Sequence, residues 1–393
     1  MAKLLVACDD YVYCHNGLFY ARNRDKYDFY QRYLRVFEEL RLTTRCVYEE
    51  ILGEARVLLD DSRIEYIPLP FFSGPSQYTR VYCRLGRALR HITDGCDAAI
   101  LRLPSTVAQR VADKVMKAGI PYGTEIVFDA KDAMTAATNN WMERFLWQKI
   151  HGQMVKICAH ANGVACVTSK YLQTHYTSKL KDAFFSHYSS LALPMSFYTS
   201  ERLYPGTKKM FVMSHVCTQV QYNGRKGHNV IIAAMKILKE RNVNVRVEFA
   251  GPDYHNGIKR LSDFAKKLNV SDRVRFIGGV NRKQLSTYLE ASDLYVMPTG
   301  GEGLPRVIIE AMAKGLPCIT TPVSGNPELI SNHFLVEYTD IHTLASRIEE
   351  LVTNRNIYEA ASKENFDRSL QYEASVLEKR RDAFYLKLKC SVR

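Results

Sequence analysis

The sequence predicts an α/β fold built from two doubly wound domains, each with a parallel sheet. Short apolar runs alternate with longer segments of helical periodicity, which is typical of parallel strands joined by helices. This alternation stops over residues 176–208, a segment rich in Ser, Tyr, Lys and Pro, and then starts again. The chain has 393 residues, too many for one ordinary core, and its 46% of apolar residues is enough to fill two.

In the first half, apolar runs alternate with amphipathic segments. Strands are predicted at 4–8, 44–49, 65–71, 98–104, 123–130 and 163–169. Helices are predicted at 27–42, 77–92, 107–118 and 140–162.

The second half repeats the pattern. Strands are predicted at 209–216, 245–251, 274–280, 293–298 and 317–323, and helices at 227–241, 256–268, 282–290, after the turn at 300–303, and from about 340 to the end. We expect a domain over 1–195, a second over 196–365, and a final helical segment, 366–393, that packs back on the first. Open parallel sheets bind ligands beyond the carboxyl ends of their strands, so two such domains are expected to face each other across a cleft.

Composition excludes several classes of protein. No apolar run approaches the roughly 18–20 residues that a membrane-spanning helix needs. The first residues, MAKLLVACDDYVYC, lack the pattern of a secretory signal, so we expect a cytoplasmic protein. The ten cysteines are scattered without a CxxC pair, which favours buried, reduced thiols over disulfides or a metal site.

The net charge is +13, which attracts anions such as nucleotide diphosphates or anionic lipids. A solvated basic surface is the alternative explanation. The chain has no run of five or six like charges and no nucleic-acid-binding signature, so nucleic acid is not an expected partner.

The most informative segment is 295–317, YVMPTGGEGLPRVIIEAMAKGLP. A short strand leads into a turn with three glycines, and a helix follows with Pro305 near its start. Such a turn exposes backbone N–H groups to an anion. Glu302 and Glu310 would repel that anion unless they bind something else, and a carboxylate accepts two sugar hydroxyls well. The segment therefore predicts a nucleotide-sugar site, although Glu302 could be a loop acid and Glu310 a surface helix residue.

Several motifs resemble those of family 4 glycosyltransferases with the GT-B fold. Residues 301–317 resemble the family signature, two glutamates separated by seven residues and followed by EAMA-x-G-x-P. Residues 225–240, 272–280 and 291–299 resemble three further motifs of the family, in the right order. Looser similarity to bacterial polysaccharide-assembly members appears at 102–106, 126–130 and 163–172.

The resemblance implies a retaining, metal-independent glycosyltransferase that needs no cofactor. It would move a sugar from a nucleotide sugar, with UDP preferred to GDP, to a glycan or polyprenyl-linked acceptor in capsule, O-antigen or exopolysaccharide assembly. Glu310 would bind the ribose, Glu302 would lie beside the transferred sugar, and Lys226 would neutralise the diphosphate. The implied donor-binding residues are Gly17, Arg225, Lys226, Phe276, Gly278, Gly279, Glu302, Gly303, Leu304, Arg306, Val307 and Glu310.

The expected catalytic residues are Glu302, Lys226 and Asp129, and whether Asp129 or Glu125 takes part in the chemistry is left open. The sequence departs from the family in three places: Val220 replaces an arginine, Phe128 replaces a histidine, and Pro305 offers no N–H. No metal site is predicted. The chain has no Asp-x-Asp pair, and His15, His215 and His228 lack metal-ligand spacing.

Two questions stay open from the sequence. The basic, aromatic helices predicted at 27–42 and 77–92 could lie on an anionic membrane, at the inner face of the cell membrane, or simply pack on the sheet. The alternative functions are a nucleotide-sugar epimerase or hydrolase of the same architecture, and a non-catalytic membrane-peripheral binding protein.

Overall fold

The computed structural model describes residues 2–132, 141–191, 193–206 and 210–392. The chain forms two compact units, Met1–Tyr188 with Glu378–Arg393, and Ser189–Leu377. In the described part of the chain, no helix has both the length and the hydropathy that crossing a bilayer requires.

The N-terminal unit is an α/β layer structure. Its strands are β1 (Lys3–His15), β2 (Leu18–Ala21), β3 (Glu39–Tyr48), β4 (Val57–Leu58), β5 (Ile64–Pro70), β6 (Ala98–Leu103), β7 (Tyr122–Ile126), β8 (Gly163–Cys166) and β9 (Phe184–His187). Its helices are α1 (Arg24–Gln31), α2 (Gly74–Ala88), α3 (Thr106–Ala118) and α4 (Trp141–Ala159). The predicted helix at 140–162 starts at a residue outside the described ranges.

The sheet of this unit is parallel around a long central strand. The first part of β1 pairs in parallel with β3 on one side and β6 on the other, and β7, β8 and β9 follow β6. A register shift between Ala7 and Tyr11 bends β1, and beyond it β1 pairs antiparallel with β2. Asn16 and Gly17 form the tight turn of this hairpin, and both have positive φ.

The helix predicted at 27–42 is wrong. Helix α1 ends at Gln31, a 3-10 turn covers Arg32–Arg35, and strand β3 begins at Glu39. Buried Tyr30, Tyr33 and Phe37 produce helical spacing in the sequence, but they enter the core from three different elements. Strands β2, β4 and β9 were not predicted, because each is only two to four residues long and such short runs give no clear periodicity.

The C-terminal unit is a second α/β structure. Its strands are β10 (Phe211–Val216), β11 (Val245–Ala250), β12 (Val274–Gly278), β13 (Leu294–Met297) and β14 (Cys318–Thr320). Its helices are α5 (His228–Glu240), α6 (Gly257–Lys267), α7 (Arg282–Glu290), α8 (Arg306–Ala313), α9 (Asn326–Leu329), α10 (Ile341–Thr353) and α11 (Arg355–Ser369). The last helix, α12 (Ala374–Cys390), starts here and continues into the N-terminal unit from Glu378.

The five strands of this unit are all parallel, in the order β12-β11-β10-β13-β14. The order reverses between β10 and β13, because β11 and β12 extend to one side and β14 to the other. In open parallel sheets, ligands bind beyond the strand ends at such a reversal. The loops after β10 and β13 therefore define the place to look for a ligand.

Candidate active site

The loops after β10 and β13 are joined by their backbones. The N–H of Gly300, in the loop after β13, donates a hydrogen bond of 2.7 Å to the carbonyl of Arg225, in the loop after β10. The Tyr338 hydroxyl also donates to the Gly224 carbonyl at 3.2 Å. The Lys-Gly segment and the glycine turn thus form one structural element, although they are distant in sequence.

Gly227 is required by both conformation and space. Its φ is +73°, and a Cβ there would overlap the carbonyl oxygen of Pro298 at the end of β13. A side chain would therefore push the loop after β10 away from the glycine turn. This explains why glycine follows Lys226 in the chain.

Lys226 and Glu302 meet in the structure. The Lys226 ammonium donates to a Glu302 carboxylate oxygen, and the Thr299 hydroxyl donates to the same oxygen at 3.2 Å. Both side chains are partly exposed, at 32% and 15% of their surface. The pair places a partly exposed cation and a carboxylate oriented by Thr299 where the strand order reverses, between β10 and β13.

A segment after β14 holds the backbone of the glycine turn by hydrogen bonds, and the sequence did not predict this segment. The Ser324 hydroxyl donates to the Glu302 carbonyl, the Gly325 N–H donates to the Gly303 carbonyl at 3.1 Å, and the Thr321 hydroxyl donates to the Thr299 carbonyl at 2.6 Å. A run of Thr, Ser, Gly and Asn directly after a strand, at 320–326, was the available signal.

Backbone N–H groups at the start of α8 are free to bind an anion. Among the described residues, the amides of Gly303, Leu304, Arg306 and Val307 have no hydrogen-bond acceptor. Pro305 is the N-cap and has no N–H, so it interrupts the row without leaving another unsatisfied donor. The helix start and the open amides together favour a phosphate or a sugar oxygen.

Glu310 lies one turn further along α8 and has no hydrogen-bond partner among the described residues. Burial raises the pKa of its carboxyl, and Arg306 and Arg282 oppose that increase. A carboxylate kept in a half-buried place without a partner has unused acceptor capacity. Ligand hydroxyls would satisfy it.

The two candidate arginines come from different loops of the site. The Arg225 guanidinium approaches Gly301, where a Cβ would come within 3.6 Å of it. Arg306 is exposed at the first position of α8. Each can add positive charge beside the free amides.

The residues predicted to border the base lie at the end of β12. Phe276 is half-buried and stacks on Phe249 with 5.4 Å between ring centroids. Gly278 has φ +84°, and its carbonyl accepts from the Gly251 N–H at 2.8 Å. At Gly279, the next residue, an added Cβ would lie 3.8 Å from its nearest neighbour, Pro252, which is ordinary van der Waals contact.

The remaining candidates belong to the N-terminal unit. Gly17 is exposed at the tip of the β1–β2 hairpin. Asp129 is fully buried; it accepts from His175 Nδ1 at 2.7 Å and from the Tyr176 hydroxyl at 2.7 Å. Asp129 can therefore act on a ligand only through a neighbour, and His175, with 20% of its side chain exposed, is such a neighbour.

Glu125 sits in a buried ionic network. Arg102 donates to it at 2.7 Å, Arg32 at 2.9 Å and the Tyr385 hydroxyl at 2.6 Å. Burial alone would raise the pKa of this carboxyl, but the two guanidinium groups and Tyr385 lower it to about 2. These contacts occupy its lone pairs, so Glu125 is placed to organise the unit's interior.

The structure thus assembles Lys226, Arg225, Glu302 and the amides from Gly303 to Val307 around one switch point. The arrangement can hold an anionic group with amides and a lysine, and it can hold hydroxyls with a carboxylate.

The C-terminal unit resembles a known protein family. Residues 206–368 match the family model described as glycosyl transferases group 1. This range contains every candidate residue of the C-terminal unit.

Relatives extend the similarity along the chain. It is 25% identical over 342 residues to Protein CapJ of Staphylococcus aureus, which covers 86% of this chain and 83% of that protein. It is 35% identical over 77 residues to a UDP-Gal:alpha-D-GlcNAc-diphosphoundecaprenol alpha-1,3-galactosyltransferase of Escherichia coli, covering 19% and 20% of the two chains.

A solved structure shows the fold. Sucrose-phosphate synthase from Thermosynechococcus elongatus superposes with a TM-score of 0.72 and 16% identity over 100% of both chains. The two Rossmann-like units accordingly belong to the GT-B fold. Residues 206–368 match the group 1 glycosyltransferase model, and this match, together with the glycosyltransferase named among the relatives, supports glycosyltransferase activity for the chain.

Proposed function

We propose that this enzyme binds a UDP-sugar in its C-terminal unit and transfers the sugar, with retention of configuration, to a hydroxyl of a lipid-linked glycan. The observation that carries the proposal is the Lys226–Glu302 pair beside the free amides at the start of α8. Glu310 supplies a half-buried carboxylate that has no hydrogen-bond partner among the described residues and that ribose hydroxyls would satisfy. One loop system therefore offers partners for a diphosphate, a sugar and a ribose.

The chemistry follows from where charge develops. When the bond from the sugar to the diphosphate breaks, negative charge grows on the departing phosphate. Lys226, Arg225 and the amides of Arg306 and Val307 would stabilise that charge. The acceptor hydroxyl attacks the same face of the sugar, its proton passes to the leaving phosphate oxygen, and Glu302 steadies the cationic sugar between the two events.

The donor base and the pathway are proposed from relatives. The Escherichia coli relative is named for UDP-Gal and for an undecaprenol-linked acceptor. Two further relatives come from Staphylococcus aureus. One is CapJ, and the other is CapM, which is named as a capsular polysaccharide biosynthesis glycosyltransferase. We therefore place this enzyme in surface polysaccharide assembly, with UDP preferred to GDP.

An anionic membrane surface would bring such an acceptor within reach. On α2, Arg80, Arg84 and Arg87 are all exposed. On α4, Trp141 and Phe145 expose 77% and 52% of their surface. Cosedimentation should show binding to vesicles with anionic lipid and not to neutral vesicles, and Arg80→Ala/Arg84→Ala/Arg87→Ala should weaken it. Equal recovery with both vesicle types would rule out this part of the proposal.

The donor assignment is tested by ligand-induced stabilisation. A ligand at 100 times its dissociation constant adds about 2.7 kcal/mol of stability, which a melting curve resolves. We expect UDP-sugars to raise the Tm, GDP- and ADP-sugars to raise it less, and Glu310→Gln to reduce the effect. No increase with any nucleotide sugar would contradict the proposal.

Transfer itself is tested with and without an acceptor. With a polyprenyl-linked glycan present, we expect a new glycosidic product whose anomeric configuration matches that of the donor. An epimerase or hydrolase would convert the donor without acceptor, and a binding protein would convert nothing. If a nucleotide sugar raises the Tm and either of these results is obtained, transfer is excluded, but nucleotide-sugar binding is still supported.

A further inference from the structure

Three potential metal ligands converge where β10 ends and α5 begins. His215 is near the end of β10, Cys217 follows the strand, and His228 is the first residue of α5. All three are buried, with exposures of 0%, 8% and 0%. One ligand atom from each lies within 4.8 Å of those of the other two, and Cys217 Sγ lies 3.2 Å from His228 Nε2.

The imidazole of His215 is oriented with its second nitrogen unused. Its Nδ1 lies 2.8 Å from the Val296 carbonyl oxygen, so Nδ1 carries the proton and donates. Its Nε2 then presents a lone pair, and this buried atom has no hydrogen-bond partner in the part of the chain that the structure describes. Histidine ligands in metalloproteins are commonly held this way, with one nitrogen donating to a carbonyl and the other facing the metal.

His228 is equally suited to ligation. Its imidazole is fully buried, and its Nε2 lies 3.2 Å from Cys217 Sγ. The ring stands against His215 at 4.7 Å between centroids, in an edge-to-face arrangement. A second buried nitrogen, His228 Nδ1, also lacks a hydrogen-bond partner.

We propose that His215, Cys217 and His228 bind one Zn²⁺ ion. Two imidazoles and a thiolate are a donor set that zinc prefers, and calcium and magnesium prefer oxygen. At usual zinc bond lengths, tetrahedral ligands lie about 3.5 Å apart, so separations up to 4.8 Å close by small side-chain rotations. Binding forms a Zn–S bond, and the displaced thiol proton leaves to solvent.

The alternative is a hydrogen bond from the Cys217 thiol to His228 Nε2. That bond accounts for the 3.2 Å distance. It leaves the lone pair of His215 Nε2 without a partner in a buried place, which costs free energy. A metal ion would also give His215 Nε2 a partner, whereas the thiol bond leaves that nitrogen without one.

The location connects the ion to the donor site. His228 follows Gly227 and Lys226 in the chain, and its ring packs on Phe249 at 5.3 Å. Phe249 in turn stacks on Phe276, the predicted base border, at 5.4 Å. Holding His228 on a metal would therefore fix the first turn of α5 beside Lys226. The site goes beyond the proposed transfer reaction and does not depend on it.

The first test is metal content of the full chain. After purification without chelator, elemental analysis is expected to give one zinc per chain. After chelation, Zn²⁺ should restore the lost Tm and Mg²⁺ should not. Co²⁺ should give the intense absorption of a thiolate-bound ion. A chain with no retained zinc and a Co²⁺ spectrum without a thiolate band would overturn the proposal.

Variants locate the site. Cys217→Ser is expected to abolish the cobalt–thiolate band and to lower zinc affinity at least tenfold, and His215→Gln should do the same to affinity. The matched control is Cys318→Ala, a fully buried cysteine of β14 in the same unit. It should keep the band and the stoichiometry. Loss of the band in Cys318→Ala but not in Cys217→Ser would show that the ion binds elsewhere.

Discussion

At the scale of single residues, Lys226 can pair either with Glu302 or with the diphosphate of the donor. In this structure its ammonium neutralises the Glu302 carboxylate, and a diphosphate would draw it away. Removing it leaves a charged carboxylate beside an anionic ligand. We therefore expect Lys226→Ala to lower kcat/KM about 10²–10³-fold, which is typical of losing one electrostatic contact to the transition state.

The control for this variant is Lys236→Ala. Lys236 is an exposed residue of α5 whose ion pair with Glu240 spans 3.7 Å. Exposed pairs contribute little, so its kinetic constants should match those of the wild type. Steady-state transfer rates over a range of donor concentrations make the comparison. Equal rates for Lys226→Ala and the wild type would remove Lys226 from the mechanism.

At Glu310, the stability of the fold and the binding of the donor are expected to favour different side chains. Because burial raises the pKa of its carboxyl, folding favours the protonated form more than the unfolded chain does. Stability from this group is therefore complete at acid pH and declines as pH rises through the raised pKa. At pH 7.5, Glu310→Gln should raise the Tm without ligand, yet increase the donor KM tenfold or more, since bonds from hydroxyls to a charged acceptor contribute about 1.5–3 kcal/mol.

The pH dependence of the Tm difference between Glu310→Gln and the wild type checks this explanation. At a pH well below the raised pKa, both proteins carry a neutral group, so the Tm difference should shrink. A Tm lower in Glu310→Gln at every pH would mean that the carboxylate stabilises the fold through a protein partner.

The sequence singles out Glu302, Glu310 and Lys226 as candidate site residues, because each is a charged residue in a glycine-rich or apolar surrounding. It could not reveal that Lys226 contacts Glu302, since the two are 76 residues apart and meet only when β10 and β13 pair. Ser324 and Thr321 were missed for a similar reason. Their hydroxyls act on backbone carbonyls, and such contacts leave no pattern in spacing.

At the scale of elements, the junction between the two loops depends on Gly227. A Cβ at φ +73° would overlap the Pro298 carbonyl, so Gly227→Ala must separate the loops or strain the backbone. We expect it to destabilise the C-terminal unit by more than about 1 kcal/mol and to weaken donor binding. Melting curves and donor titrations would measure both effects.

Gly152→Ala is the matched control. Gly152 lies within α4, where a Cβ meets nothing within 4 Å. Alanine is the better helix former by about 0.5–1 kcal/mol, so this change should stabilise the protein. If Gly227→Ala also left stability and binding unchanged, the close approach of the two loops would not matter for the site.

Elements were predictable where one pattern dominated. The strands β10, β13 and β14 are short apolar runs buried on both faces or nearly so, whereas apolar residues alternate with polar ones in β11 and β12 is half-exposed; all five were found. The failure at 27–42 arose because Tyr30, Tyr33 and Phe37 mimic helical spacing across a helix end, a 3-10 turn and a connection. Periodicity cannot separate these cases, since it records only which positions are buried.

At the scale of the whole molecule, residues from the chain's end complete the interior of the N-terminal unit. Tyr385 is fully buried and donates to Glu125, which also receives Arg32 and Arg102. Because these partners lower the pKa of Glu125 to about 2, its ionised form contributes stability above pH 4. That contribution should be lost as pH falls from about 4 towards 2.

Glu125→Gln should reveal the cost of two buried arginines without their carboxylate. Breaking a buried ion pair by removing one partner typically costs about 3–5 kcal/mol. Denaturant unfolding at pH 7 should show this loss, and the difference from the wild type should narrow at pH 2–3, where Glu125 begins to take up a proton. The control, Glu378→Gln, removes an exposed pair with Arg35 and should change stability by less than about 1 kcal/mol.

The contribution of Tyr385 tests how far the stability of the N-terminal unit depends on the last helix of the chain. Tyr385→Phe keeps the ring and removes one donor from a carboxylate that retains two arginines, so it should cost about 1–3 kcal/mol. Ending the chain at Leu377 removes Tyr385 together with buried Phe384 and Leu388, and leaves Glu125 next to a cavity. The truncated chain should therefore lose far more stability than Tyr385→Phe. If both melted alike, the ionic network would be sufficient without its C-terminal cover, and the last helix would have another purpose in this unit.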